Sequence, residues 1–215
     1  MKDTKLRDAV ESALEYEPSI DAANIGIAVD NGVVTLTGHV ASYAQKLVAE
    51  RVVQGVGGVR GIAQEIEVRD GYGKHMADDE IASRALKIIS WDATVPSDRI
   101  QVKVQKGWIT LSGKVDWHFQ RAAAEHAVRK LSGVLGVVNR IAVAPTIVAD
   151  DVKRRIEDAL RRSAEIEAGG VTVSVSDSKV TLEGKVRSWG ERKAIERAAW
   201  AAPGVASIDD RLVLV

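Results

Sequence analysis

The chain has no cysteine, only one phenylalanine and only four prolines among 215 residues. Lack of cysteine excludes disulfides and thiolate metal sites, and it fits a reducing compartment. There is no long hydrophobic run. The longest stretch free of Asp, Glu, Lys and Arg, Asn31 to Gln45, is largely polar and falls short of the roughly 18 apolar residues a membrane span needs; the next, Ala198 to Ile208, is shorter still. The opening residues Met1-Lys2-Asp3-Thr4-Lys5-Leu6-Arg7-Asp8 mix both signs of charge without an apolar h-region, so a secretory signal is not expected and a cytoplasmic protein is. There is also no excess of either charge, since Lys plus Arg and Asp plus Glu each number 30. No global field therefore draws the chain to nucleic acid or anionic lipid.

What is present is 46% hydrophobic and 28% charged residues, the composition of a folded globular chain. The charge is unevenly spread. Residues 1–77 carry 8 basic and 11 acidic side chains, 78–149 carry 10 and 7, and the remainder 12 of each. Only the middle third is basic.

That division matches an internal repeat. Gly38, Gly113 and Gly184 sit in the strings Thr-Leu-Thr-Gly-His-Val, Thr-Leu-Ser-Gly-Lys-Val and Thr-Leu-Glu-Gly-Lys-Val. Twenty residues after each comes Gly-Val, as Gly58-Val59, Gly133-Val134 and Gly204-Val205. Three ungapped blocks of 63 residues result, running from Leu6, Ile81 and Val152 to Val68, Val143 and Leu214, and such regularity means duplicated domains. Breaker residues fall between blocks, at Gly71-Tyr72-Gly73 and at Pro145. The expected domains are residues 1–70, 76–144 and 148–215.

Hydrophobic period gives the order of elements. Leu6, Val10, Ala13 and Leu14, with Ile81, Ala85, Ile88, Ile89 and Val152, Ile156, Ala159, Leu160, follow helical spacing. Asp78-Asp79 and Asp150-Asp151 stand just ahead of that helix, where carboxylates can cap free amides and meet the positive end of the dipole. Ile25-Gly-Ile-Ala-Val and its counterparts at Ile100 and Val171 alternate with period two, and Asn31-Gly32 or Lys106-Gly107 then introduces Val-Thr-Leu or Ile-Thr-Leu, predicting a hairpin. Val48, Val52, Val53 and Val56, with Ala123, Ala127, Val128 and Leu131, predict a second helix ended by glycine. A last strand alternates through Ile66 and Val68, Ile141 and Val143, Leu212 and Leu214. Each module is thus α-β-β-α-β, an α+β two-layer unit with two helices on one face of a three-stranded sheet. A block of this size buries only some 60% of its unfolded surface, so docking between modules would add stability.

The order α-β-β-α-β, the string [Val/Ile]-Thr-Leu-x-Gly-x-Val and the later Gly-Val-x-x-[Ile/Val]-x-[Gln/Asn/Asp]-x-[Ile/Leu]-x-[Val/Leu] together resemble the BON domain, named for bacterial osmotically inducible and nodulation proteins. The resemblance covers nearly the whole chain three times. It implies a non-enzymatic bacterial module in tandem copies, associated with envelopes and osmotic stress and proposed to bind phospholipid, some members being chaperone-like. Many relatives are exported, whereas this chain shows no export signal.

Comparing copies isolates the candidate contact residues. Trp108 stands where Val33 and Lys179 do, Trp91 where Tyr16 and Arg162 do, Trp117 where Ser42 and Ser188 do, and Trp200 where Gln54 and Arg129 do. A slot that accepts Lys, Arg or Ser in a sister domain faces solvent at least in part, and exposed aromatics mark contact surfaces. Trp117 and Phe119, flanked by Lys114 and Arg121 in the basic repeat, form an amphipathic patch suited to a lipid headgroup boundary. The competing reading is that these aromatics seal one domain against another. The slot of Tyr43, His118 and Trp189 is expected to pack as a staple.

Lys46-Glu50, Arg121-Glu125 and Arg192-Glu196 recur at i, i+4 on the second helix and read as exposed helix ion pairs rather than chemistry. His39, His75, His118 and His126 lack the spacing of a zinc site. The glycine pairs Gly58-Val-Arg-Gly61 and Gly133-Val-Leu-Gly136 resemble an RNA-clamping loop, yet they lie between helix and strand and are broken in the third copy at Ser207. The expectation is a protein without enzyme activity, cofactor, metal or nucleic-acid partner. It acts by contact with phospholipid or an envelope-associated protein, or else as a holdase-like chaperone or oligomeric scaffold.

Overall fold

The computed structural model describes residues 3–69, 76–144, 152–162, 171–202 and 204–215. The expected linkers at Gly71-Tyr72-Gly73 and Pro145, the carboxylates Asp150 and Asp151, and His75 lie outside them.

The first module runs α1 (Asp3–Glu15), β1 (Ile25–Asp30), β2 (Val33–Val40), α2 (Tyr43–Gln54), β3 (Gly61–Gln64) and β4 (Glu67–Val68). The second has α3 (Asp78–Trp91), β5 (Ile100–Gln105), β6 (Trp108–Val115), α4 (His118–Val128) and β7 (Gly136–Val143). The third has α5 (Val152–Arg162), β8 (Val171–Ser176), β9 (Lys179–Val186), α6 (Trp189–Trp200) and β10 (Ser207–Leu214). Each is the expected α-β-β-α-β unit. Compactness divides the chain differently, into Met1–Ala93 with Gln101–Leu111 and Ala124–Arg140, and Thr94–Ile100 with Ser112–Ala123 and Ile141–Val215.

In every module the middle strand is the second, the sheet orders being β1-β2-β3 with β4 continuing beside β2, β5-β6-β7, and β10-β9-β8; in the first and third modules it pairs antiparallel with the first strand and parallel with the last. Ile25 faces Gly38 and Asp30 faces Val33 in one hairpin, as Val171 faces Gly184 and Ser176 faces Lys179 in another. The parallel partner keeps one register, Val33 opposite Gly61 and Ser207 opposite Lys179. Parallel pairing needs a crossover, which the second helix supplies.

The repeated glycine of the sequence signature has a specific cause. Gly38 and Gly113 have φ of +99° and +134°, and a Cβ at either would run into the carbonyl oxygen of Asn24 or Arg99. Only glycine meets both demands.

The apolar face of helix one is as expected, with Leu6, Val10 and Leu14, then Ile81, Ala85 and Ile89, then Val152, Ile156 and Leu160 buried. Helix two buries Val53 and Val128 as expected, with Ala49 and Ala124 beside them and Ala194, Ile195 and Ala199 in the third module, while Val48, Val52 and Val56 pack against the core only partly covered.

The carboxylate at the start of helix one also acts differently from expectation. Asp78 is inside the first turn, and the cap position is Ala77, which makes no side-chain bond. Asp78 instead accepts from the amides of Lys106 and Gly107 at 2.7 and 2.9 Å, as Asp3 does from Asn31 and Gly32 at 3.0 and 3.2 Å. A helix-start acid thus clamps the hairpin turn, whose first residue has positive φ in both modules.

Candidate functional site

The start of the second helix distinguishes the modules. Ser42 and Ser188 occupy the N-cap with extended backbone, and their hydroxyls accept from the amides of Gln45 and Glu191 at 3.3 and 3.1 Å. The side chains of Gln45 and Glu191 reach back to the amides of Ala41 and Arg187 at 2.9 and 2.8 Å. This is a variant of the capping box, S-x-x-E/Q, in which the return bond comes from the amide just before the cap residue. In the second module only half survives. Gln120 still accepts from the amides of Asp116 and Trp117, both at 3.1 Å, but Trp117 has no acceptor to offer, and the Gln120 amide turns to the Trp117 carbonyl at 3.1 Å. Forgoing a serine cap costs about 1 kcal/mol.

Trp117 is nevertheless 41% exposed and Phe119, two residues on, 55%. Lys114 is exposed near the end of β6, on the side opposite the buried Ile109, Leu111 and Val115. The acid between them, Asp116, is neutralised by Arg99 at 3.1 Å. Arg121 is half-buried one turn into α4 and is engaged in interactions within the fold. The β6–α4 junction therefore presents two uncovered aromatic rings beside excess positive charge and the positive end of a helix dipole.

The other candidates do not join this patch. Trp108 opens β6, six residues before Lys114, or roughly 20 Å along an extended strand. It is 51% exposed, and its ring covers Gly136 on β7, where any side chain would collide with it. Trp91 ends α3, 75% exposed, with Lys87 Nζ 5.4 Å from its ring centre. Its counterpart Tyr16 is exposed too. Trp200 behaves differently. It is packed in part against the core of the third module and stacks on His118, ring centres 3.8 Å apart and planes at 13°. Both rings lie in the same compact unit, and the stack ties the end of α6 to the start of α4, as the sealing interpretation requires for this one tryptophan. His118 thus serves as a stacking partner for Trp200. In the third module Trp189 sits at that slot, with the Arg192 guanidinium 5.5 Å from its ring.

The recurrent charges of helix two are not a solvated face. Lys46 donates to the Ile66 carbonyl at 2.7 Å and Glu50 accepts from Gln54 at 3.1 Å. Glu125 is held by Arg129 and by Asn139 at 2.9 Å. Arg192 lies 3.7 Å from Glu196 but only 2.6 Å from Asp210 on β10. Spacing along a helix carried no sign of these strand partners, although the [Gln/Asn/Asp] slot of the repeat motif is where two of them sit. Among the described residues no helix is long and apolar enough to cross a membrane, and no group of His, Asp or Glu is placed to hold a metal.

Comparison with protein families agrees with this architecture. The BON domain family matches residues 2–70, 77–145 and 149–215. Osmotically-inducible protein Y of Escherichia coli (strain K12) is 34% identical over 143 residues, which is 65% of this chain and 71% of that protein. Among solved structures, the C-terminal domain of CdsD, titled the structural protein of the Type III secretion system of Chlamydia trachomatis, aligns over the whole of both chains at 15% identity, with a TM-score of 0.28. With the family matched three times in register with the structural repeat, the chain belongs to the BON domain family and is built of three tandem copies.

Proposed function

We propose that this BON-domain protein works by contact rather than turnover, and that its second module engages anionic phospholipid surfaces through the β6–α4 junction. The carrying observation is Trp117, which fills a helix cap that the sister modules give to serine yet leaves its ring 41% exposed. A position that breaks a local folding rule without an evident gain in packing points to function. Indole and phenyl rings insert at the headgroup boundary while Lys114, with Arg121 behind it, approaches phosphate. The osmotic induction named for the Escherichia coli relative fits a role at an envelope under stress.

A second function, as a holdase or scaffold, draws on other rings. Leu86 and Trp91 are exposed on α3 and Tyr16 just past the end of α1, where they suit protein rather than lipid.

Co-sedimentation with vesicles containing anionic phospholipid at low salt separates the two, because weak electrostatic attraction is strongest there. Binding that is lost in Trp117→Ala and weakened in Lys114→Ala supports lipid contact. Absence of binding, together with suppressed aggregation of a client protein, favours the second function.

A further inference from the structure

The carboxylate that helix two turns toward the last strand is furnished differently in the three modules. Glu50 receives the Gln54 amide at 3.1 Å. Glu125 receives the Arg129 guanidinium and the Asn139 amide, the latter at 2.9 Å. At Glu196, the third member of the series, both kinds of donor are gone. Trp200 stands where Gln54 and Arg129 do, and its ring is committed to His118. Asp210 stands where Gln64 and Asn139 do, so an amide has been replaced by a second carboxyl. A single Arg192 serves both acids, at 2.6 Å from Asp210 and 3.7 Å from Glu196. Two half-buried carboxyls bridged by one guanidinium compete for it, an arrangement that favours holding one proton between them.

We propose that one proton shared between Glu196 and Asp210 latches α6 onto β10, so that the third module alone loosens as the pH rises past neutrality.

The charged groups acting on Glu196 are Asp210 from β10 and Arg192 and Lys193 from its own helix. Elsewhere in the module, Lys153 and Glu157 pair on α5, as do Asp158 and Arg161, while Lys179 and Glu183 of β9 pair with Asp209 and Arg211. Arg154, Arg155 and Arg197 are engaged as well. Burial first, then the hydrogen bond and charge of Asp210, raise the Glu196 carboxyl from 4.5 to about 7. Burial would raise Asp210 too, but hydrogen bonds from Glu196, the Leu212 amide and Arg192 outweigh it and hold that acid below its ordinary value. Glu196 therefore binds its proton more tightly folded than unfolded. Its stabilisation is complete below about pH 4.5, shrinks as pH rises, and is lost above about 7. The depressed Asp210 contributes in the opposite sense, losing stabilisation only in acid, outside this window. Trp200 lies one turn beyond Glu196, so the latch sits beside the contact that ties α6 to His118.

The test is hydrogen exchange of the full chain at pH 6 and pH 8, corrected for intrinsic exchange. The segments 189–200 and 207–214 should lose roughly tenfold in protection, while 43–54 and 61–68 of the first module hold theirs. Asp210→Asn, which restores the amide of the second module, and Glu196→Gln, which fixes the protonated shape, should each abolish the loss with His118 still in place. Unchanged protection in the natural protein overturns the proposal, as does a loss that survives both variants. Carboxyl carbon resonances give an independent reading that needs no variant: Glu196 should titrate near neutrality, and a midpoint in the ordinary carboxylate range overturns the latch.

Discussion

Replacing Trp117 by serine and, separately, by alanine dissects what the tryptophan does for folding from what it does for contact. Both changes remove the same indole, so they lose the same packing from its covered part. They differ only in the hydroxyl, which in the sister modules accepts from the third helical amide at 3.3 and 3.1 Å. Serine should therefore be more stable than alanine by about 1 kcal/mol. For a unit of this size that is a melting shift of about 4–8 °C, readable by circular dichroism or calorimetry. Binding should not follow stability. An aromatic side chain offers 150–250 Å², so the 41% exposed at Trp117 amounts to roughly 60–100 Å². At about 25 cal/mol per Å² its insertion contributes about 1.5–2.5 kcal/mol, or a roughly 10- to 60-fold loss of vesicle affinity in both variants. Equal stability of the two variants would show that the slot is not a cap. Retained affinity in the serine variant would remove Trp117 from the contact surface.

Two further substitutions test the scaffold. Gly113→Ala should cost well over 2 kcal/mol or prevent folding of the second module, because φ is +134° and the new methyl meets the Arg99 carbonyl; a melting curve near that of the parent refutes the crowding argument. Asp78→Ala should cost about 1–2 kcal/mol by releasing the Lys106 and Gly107 amides, and exchange at those two amides should rise while helix α3 stays formed.

Much of the fold was legible because side-chain period follows secondary structure so directly. Ile25 to Val29 alternates and Leu6, Val10 and Leu14 recur at helical spacing, and three copies made each pattern visible in triplicate. Helix two was less so. Its central positions are Ala49 and Ala124, and alanine is too neutral to point a helix face, so the valines alone marked the core: Val53 is fully buried, whereas Val48, Val52 and Val56 pack against it only partly covered. The function of Asp78 was hidden for another reason. A cap is local in sequence, whereas its partners are 28 and 29 residues away. Of the expected helix-two ion pairs Arg192–Glu196 is present at 3.7 Å, but the strand partners Asn139 and Asp210 were hidden, since they arrive 14 and 18 residues beyond Glu125 and Arg192. The candidate patch was legible by comparison between copies, which exposed Trp117 as a tryptophan in a serine slot. That Trp200 belongs instead to a stack with His118 required coordinates, for nothing in their spacing of 82 residues brings the two together.

The most direct measurement is fluorescence from a chain that keeps Trp117 and has phenylalanine at the other four tryptophans, mixed with anionic vesicles carrying quenchers at defined depth. A blue shift, with quenching strongest from the headgroup boundary, is the predicted outcome. An emission maximum unmoved by vesicles, with quenching only from the aqueous phase, would contradict contact through the β6–α4 junction.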